Sequence, residues 1–179
     1  MSLNNLLLKE HRYAYKLSKD EWDSILFSPD GFDDEDDEDD AREFVEEKLN
    51  SHFPEGFIFN KSSVFLYRLL FLDKLKELNK DKLGQHWTGN PDNIYDSHYV
   101  WTIRQTTNTP ESKVAYVLII NISPEEIDIV GSLHTNVLYP EEEEITLNPD
   151  FKPYEAYICK QENFNNRQPL TSKGIKEIL

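Results

Sequence analysis

Eight consecutive carboxylates, from Asp33 to Asp40, are the sequence feature that most constrains how this chain can fold. Like charges at neighbouring positions repel one another, so such a run resists packing into a helix or a strand. It follows a turn-like Ser-Pro-Asp-Gly segment and separates two stretches of helical composition. We therefore expect a solvated, charged loop over residues 28–40. The alternative is a docking surface whose carboxylates imitate phosphates for a basic partner.

The acidity divides the chain into two parts. Residues 1–60 carry 17 acidic and 6 basic side chains, whereas residues 61–179 carry 17 and 13, so the formal net charges are −11 and −4. The length predicts one main domain. We expect an acidic helical lead-in over residues 1–55 and a folded domain over residues 56–179. A net charge of −15 argues against a nucleic-acid binder, because binding to phosphates needs an excess of Lys and Arg.

Hydropathy and cysteine content exclude further classes. No apolar run approaches the roughly 20 residues that a membrane span requires, and residues 3–8 are too few and too polar for the apolar core of a signal peptide. These patterns predict a cytoplasmic protein without a membrane segment. A chain with the single cysteine Cys159 cannot form a disulfide framework. We expect Cys159 to be an inert core residue. The five histidines lack metal-ligand spacing, so no metal site is expected.

Runs of β-branched and aromatic residues predict several strands. They cover residues 57–59, 64–71, 99–105, 113–122, 134–139, 144–147 and 154–160. Between them, residues 82–93 are loop-like, Ser123 and Pro124 open a short helix or turn, and residues 171–179 form a terminal helix or tail. Strands without regular helical alternation indicate the α+β class.

Three features of this domain carry candidate chemistry, and the first is Arg68. It is the one charge within the apolar stretch LYRLL, residues 66–70. An unpaired guanidinium in such a strand is costly, so it must be paired or must line a cleft. Its planar fork suits a phosphate or a carboxylate. The alternative is a structural ion pair with a carboxylate of the same chain.

The second feature is the segment GQHWTGNPD, residues 84–92. Its glycines let the backbone approach a ligand closely, and Trp87 offers a stacking face beside the hydroxyl of Thr88. The alternative is a capped turn with Trp87 inside the core.

The third feature is the run of four glutamates at residues 141–144, immediately before an apolar strand. Strand alternation would put Glu142 and Glu144 on the same face. Carboxylates on one face repel unless one is kept for binding or catalysis. A solvated edge strand is the alternative, and a register shift of one residue would exchange Glu144 for Glu143.

Taken in order, these features resemble the mono-ADP-ribosyltransferase fold of the Arg–Ser/Thr–Glu class, which includes bacterial toxins and phage enzymes. The resemblance covers about residues 57–160. It rests on Arg68 in the first core strand, on HWTGNPD at residues 86–92, on the apolar strand and Pro-Glu-x-Ile step within residues 114–127, and on EEEITL at residues 142–147. It implies a split β-sheet with flanking helices, preceded here by the acidic helical segment.

The resemblance also implies site roles, with NAD as a substrate. Arg68, next to Tyr67, would grip the pyrophosphate or adjoining ribose, and Trp87 would stack near the nicotinamide. Thr88 would hold the cleft and orient the catalytic glutamate. Glu144 would accept the ribose 2′-OH and stabilise an oxocarbenium-like transition state, while Glu142 would face the acceptor, a position associated in the family with arginine.

The sequence therefore predicts an NAD-dependent mono-ADP-ribosyltransferase that modifies a macromolecular acceptor, such as arginine on a protein. The alternative is a non-enzymatic binding or inhibitor protein that presents its acidic surface to a basic partner.

Overall fold

The computed structural model describes Glu47 and residues 61–79, 83–110, 112–132, 144–165 and 174–178. The acidic loop at 28–40, the strands predicted at 57–59 and 134–139, Glu142 and, except for the helical Glu47, the predicted N-terminal helices lie outside these residues. No helix of the described ranges is long and apolar enough to cross a membrane.

The described residues form one six-stranded sheet in which every paired strand is antiparallel. In chain order, the strands are β1 (Val64–Leu72), β2 (His86–Thr88), β3 (Val114–Ile122), β4 (Glu144–Thr146), β5 (Glu155–Lys160) and β6 (Lys176–Glu177). Their spatial order is β4-β2-β1-β3-β5-β6. With the α-helix α1 (Ser97–Thr106), a helical turn at residues 129–132 and short 3-10 turns, this is an α+β protein, as the sequence predicted.

The ladder between β1 and β3 is the centre of the molecule. All nine residues of β1 pair, from Val64 opposite Ile122 to Leu72 opposite Val114. Both strands are apolar without interruption except at Arg68 and Asn121, which is the pattern of strands that are covered on both sides.

Side-chain alternation gives the sheet two faces. Face A is defined by a large buried cluster that includes Leu66, Trp87, Leu118, Ile120, Ile145 and Ile158. Face B is defined by a smaller cluster that includes Leu69, Phe71, Ile94, Val117, Ile119 and Cys159. The two clusters are separate, so the side of the sheet on which a polar residue lies determines its surroundings.

Helix α1 packs on face B, and the strand predicted at residues 99–105 is wrong. The Asp96 side chain caps the helix by accepting a hydrogen bond from the Tyr99 backbone N–H at 2.9 Å. Tyr99, Val100 and Ile103 then meet the face B cluster at helical spacing. Aromatic and β-branched composition favours a strand, but the cap and the available apolar surface decide the outcome.

Most other element predictions are confirmed. Strands β1, β3, β4 and β5 agree with the sequence within a few residues, and Ser123 caps the 3-10 turn Pro124–Glu126. Two predictions are wrong in detail. The stretch 82–93 contains the short strand β2 and the 3-10 turn Pro91–Tyr95, and the chain end contributes β6 rather than a terminal helix.

Candidate functional site

The short ladder between β2 and β4 places the predicted polar residues in one row. Thr88 pairs with Glu144 across this ladder and with Tyr67 of β1 on its other side. Residues directly opposite each other point to the same face. Tyr67 packs against the face B cluster, so Thr88 and Glu144 also belong to face B.

Glu144 forms an ion pair with His86 in the same ladder. His86 Nδ1 lies 2.6 Å from Glu144 Oε1, between an imidazole that is 63% exposed and a carboxylate that is 19% exposed. His86 pairs with Thr146, which makes His86 and Glu144 diagonal neighbours on one face. The hydrogen bond to Glu144 raises the pKa of His86, while partial burial and the charge of Arg68 oppose this shift.

Thr88 organises the loop that follows β2. Its side chain is fully buried, and Oγ1 accepts hydrogen bonds from the Asn90 backbone N–H at 3.1 Å and from Asn93 Nδ2 at 3.2 Å. The Asn90 side chain then caps Pro91–Tyr95 through the Asp92 N–H. The hydroxyl thereby fixes the backbone where β2 ends, beside the pairing with Glu144.

Strand β4 is braced from its other side by Ser132. The buried Ser132 Oγ accepts a hydrogen bond from the Thr146 N–H at 2.9 Å and donates to the Asp128 carbonyl at 2.6 Å. The Asp128 N–H donates to the Thr146 carbonyl at 2.9 Å. These bonds hold β4 at Thr146, two residues from Glu144, which favours a fixed carboxylate position.

Arg68 lies on face A, opposite Leu118 in the central ladder. Its Nη1 donates to the Leu83 carbonyl at 3.2 Å. The guanidinium rests against Gly84, where a β-carbon would come within 1.9 Å of Nη1. Gly84 has φ +81°, so this position needs glycine both for its backbone and for the contact.

No ion pair to Arg68 occurs among the residues that the structure describes. Burial lowers the pKa of the guanidinium, whereas the charges of Tyr99 and Glu144 raise it. Arg68 and Glu144 therefore interact electrostatically even though alternation points them to opposite faces. The region where they interact is the start of β2, which pairs with β1 only at Thr88.

Trp87 is 1% exposed and belongs to the face A core. Its Nε1 donates to the Gly84 carbonyl at 2.7 Å, and its ring meets Phe151 edge-on at a centroid distance of 6.1 Å. This is the placement of the core alternative. By holding Gly84, Trp87 also shapes the surface against which Arg68 rests.

The structure adds His86 and Ser132 to the residues that sequence reasoning singled out. Their partners lie far along the chain, 58 residues away for His86 and 14 for Ser132, so only the strand register reveals them. Tyr67, a predicted NAD contact, packs its ring at 5.7 Å from that of Phe164, and burial raises its pKa. Glu142, the predicted acceptor-facing residue, lies outside the described ranges.

The remaining candidates are the cysteine and a metal site. Cys159 is 3% exposed, and burial raises the pKa of its thiol to about 11, which makes the nucleophilic thiolate scarce at neutral pH. In the described ranges, no three His, Cys, Asp or Glu side chains are grouped as they would be around a metal ion.

Comparisons with models of protein families, with curated proteins and with solved structures find no match for this chain. The site must therefore be judged by its own geometry. That geometry consists of a guanidinium that forms no ion pair with a described carboxylate, and of a His–Glu pair with which it interacts electrostatically. Both lie around the first residues of β2.

Proposed function

We propose that this protein is an NAD-dependent mono-ADP-ribosyltransferase that modifies a macromolecular acceptor, on a fold of the ADP-ribosyltransferase type. The observation that carries the proposal is Arg68. A guanidinium within the central ladder has only a backbone carbonyl as its partner among the described residues.

The state of Arg68 favours an anionic ligand. Removing a guanidinium from water is costly unless an anion compensates it, and the lowered pKa reflects that cost. One N–H donates to the Leu83 carbonyl, whereas a guanidinium carries five donors in a rigid fork. A pyrophosphate matches such a fork through charge-assisted, bidentate hydrogen bonds. In the proposal, Arg68 therefore binds the pyrophosphate of NAD.

Glu144 supplies the second part of the chemistry. Its carboxylate is 19% exposed, and His86 and the cross-strand neighbours hold it in place. A fixed negative charge in a partly desolvated site stabilises a cation that develops as the nicotinamide leaves the ribose. Preorganised electrostatic groups of this kind contribute about 10²–10³ in rate. Glu144 is therefore the proposed catalytic residue.

Arg68 lies on β1 and Glu144 on β4, on either side of β2, and this arrangement sets how NAD would lie. The dinucleotide would cross the start of β2, with its pyrophosphate at Arg68 and its nicotinamide ribose at Glu144. Trp87 would contribute by holding Gly84, and Thr88 by fixing the end of β2. Tyr67, opposite Thr88, would support the same row from β1.

The test is nicotinamide release from NAD, followed with the purified full chain and a range of protein acceptors. We expect Glu144→Gln to lower kcat about 10²–10³-fold, and Arg68→Ala to raise KM for NAD. Glu162→Gln is the matched control, because Glu162 is a 71% exposed glutamate that pairs with Lys160 instead. Equal turnover in Glu144→Gln and the wild type would refute the assignment of Glu144.

A second candidate function is a non-enzymatic binding or inhibitor protein. One observation favours it: the buried Thr88 hydroxyl already holds its own loop. Under this function, no nicotinamide release is expected. Binding of polylysine would instead fall with salt and with replacement of the eight acidic residues at 33–40 by Ser and Gly.

A further inference from the structure

His86 is the most exposed polar side chain of the β2–β4 ladder, and it has a defined orientation. Its Nδ1 lies 2.6 Å from Glu144 Oε1. A carboxylate accepts this hydrogen bond, so Nδ1 carries the proton and Nε2 carries the lone pair in the neutral ring. The imidazole is 63% exposed, and because Nδ1 is the nitrogen bonded to Glu144, Nε2 is the ring nitrogen that a solute could use.

A buried hydroxyl accompanies His86 in the same row. Thr146 pairs directly with His86 across the ladder and is 7% exposed. Its Oγ1 has no hydrogen-bond partner among the described residues. An unsatisfied buried hydroxyl is uncommon in native proteins, and a functional role is one of its recognised explanations. The row therefore combines an oriented proton acceptor with an unsatisfied polar atom, next to the proposed catalytic carboxylate.

We propose that His86 is a catalytic residue of the same site, the general base for the incoming acceptor, and that the acceptor nucleophile is a hydroxyl group. This inference rests on the proposed function. It replaces the expected arginine acceptor, which depended on Glu142, with an acceptor whose attacking atom carries an O–H bond.

The step balances without a further reactant. The bond between the ribose C1′ and the nicotinamide nitrogen breaks, and its electron pair leaves with neutral nicotinamide. An oxygen lone pair of the acceptor forms the new C1′–O bond. The O–H proton, whose acidity rises as this bond forms, moves to His86 Nε2 and then to solvent. Glu144 stabilises both the sugar cation and the resulting imidazolium.

The charges around His86 support a base that works near neutral pH. Glu144 faces the ring from β4 and raises the pKa of His86, while Arg68 on β1 lowers it. The balance is a pKa above the usual value of about 6.5. General bases are most effective when their pKa lies near the working pH. Transfer to a hydroxyl acceptor is therefore expected to fall as the pH drops through this pKa.

The test compares two small acceptors with the full chain, NAD, and the variants His86→Ala and His98→Ala. Methanol needs a base, whereas azide attacks without losing a proton. We expect His86→Ala to lower formation of the methyl riboside about 10²–10⁴-fold and to leave azide transfer close to the wild-type rate. Added imidazole should restore methanol transfer in His86→Ala. The control His98→Ala, a histidine of α1, should behave like the wild type.

Each outcome of this test supports or overturns the role of His86 as the general base. Loss of methanol transfer with imidazole rescue supports the base, and free ADP-ribose in place of the methyl riboside identifies water as the preferred hydroxyl. Equal loss with both acceptors would assign His86 only to positioning Glu144 and would overturn the inference while the proposed function stands. No nicotinamide release by the wild type with either acceptor would overturn both.

Discussion

Two antiparallel ladders of the sheet, β1–β3 and β2–β4, differ in length and in chemistry. The β1–β3 ladder pairs nine residues and is almost entirely apolar, whereas the β2–β4 ladder pairs three residues, of which the middle pair alone is apolar. Length and burial give the first ladder its stability. The second is held by side-chain hydrogen bonds from Thr88 and Ser132. The difference teaches that substitutions of apolar residues in the long ladder should affect folding, whereas substitutions of polar residues in the short ladder should affect chemistry.

The largest stability effect is expected at Leu118, which is fully buried in the middle of β3. Leu118→Ala should lower the free energy of unfolding by about 3 kcal/mol, through lost burial and the cavity that remains. Denaturant unfolding measures it. The matched control is Val114→Ala at the 38% exposed start of the same strand, where about 0.5 kcal/mol is expected. Similar losses at both positions would contradict a core centred on the long ladder.

A smaller effect on stability is expected at Gly84. This residue lies just before β2 and contacts Arg68 of β1. Gly84→Ala should cost about 2 kcal/mol, from strain at positive φ and from displacement of the guanidinium. In an Arg68→Ala background the contact is already absent, so about 1 kcal/mol should remain. A double-mutant cycle by denaturant unfolding measures the coupling. Strict additivity would show that the contact between Arg68 and Gly84 contributes nothing.

The smallest effect is a dependence of stability on pH from His86. Its pKa is raised in the folded protein, so its stabilising contribution is complete below the unfolded value of about 6.5 and disappears as the pH rises through the folded value. Because the imidazole is 63% exposed, the loss should be about 0.5 kcal/mol. Unfolding curves between pH 6 and pH 9 measure it, and His86→Gln should remove it. A gain in stability over this range would give the wrong sign for the pair.

The sequence predicted the long ladder better than the short one. Unbroken apolar runs identify β1 and β3, because strands covered on both faces need no alternation. The Ser123-Pro124 cap was equally predictable from the sequence, since the cap and the first turn lie next to each other in the chain. Residues 99–105 were misassigned to a strand, because their composition suits either element and the Asp96 cap decides in favour of α1.

The residue pairing at the candidate site could not be predicted from the sequence, for a different reason. Thr88 and Glu144 could be singled out by residue type, but His86 meets Glu144 only as a diagonal neighbour in a ladder of three residue pairs. Strand β2 is too short for a periodic pattern, and its register follows from the Thr88 and Ser132 hydrogen bonds rather than from hydropathy. Likewise, the Arg68 contact depends on a positive φ at Gly84. A glycine permits this conformation, but its presence in the sequence does not predict it.

Cys159 offers an internal monitor of this sheet. It is the one cysteine of the chain, it pairs with Val117 in the centre of the molecule, and its thiol is 3% exposed with a pKa of about 11. A thiol reagent can therefore reach it only when the residues that cover face B move away. The rate of its labelling under native conditions reports how often face B is uncovered, and a cysteine introduced at the surface could be labelled selectively beside it.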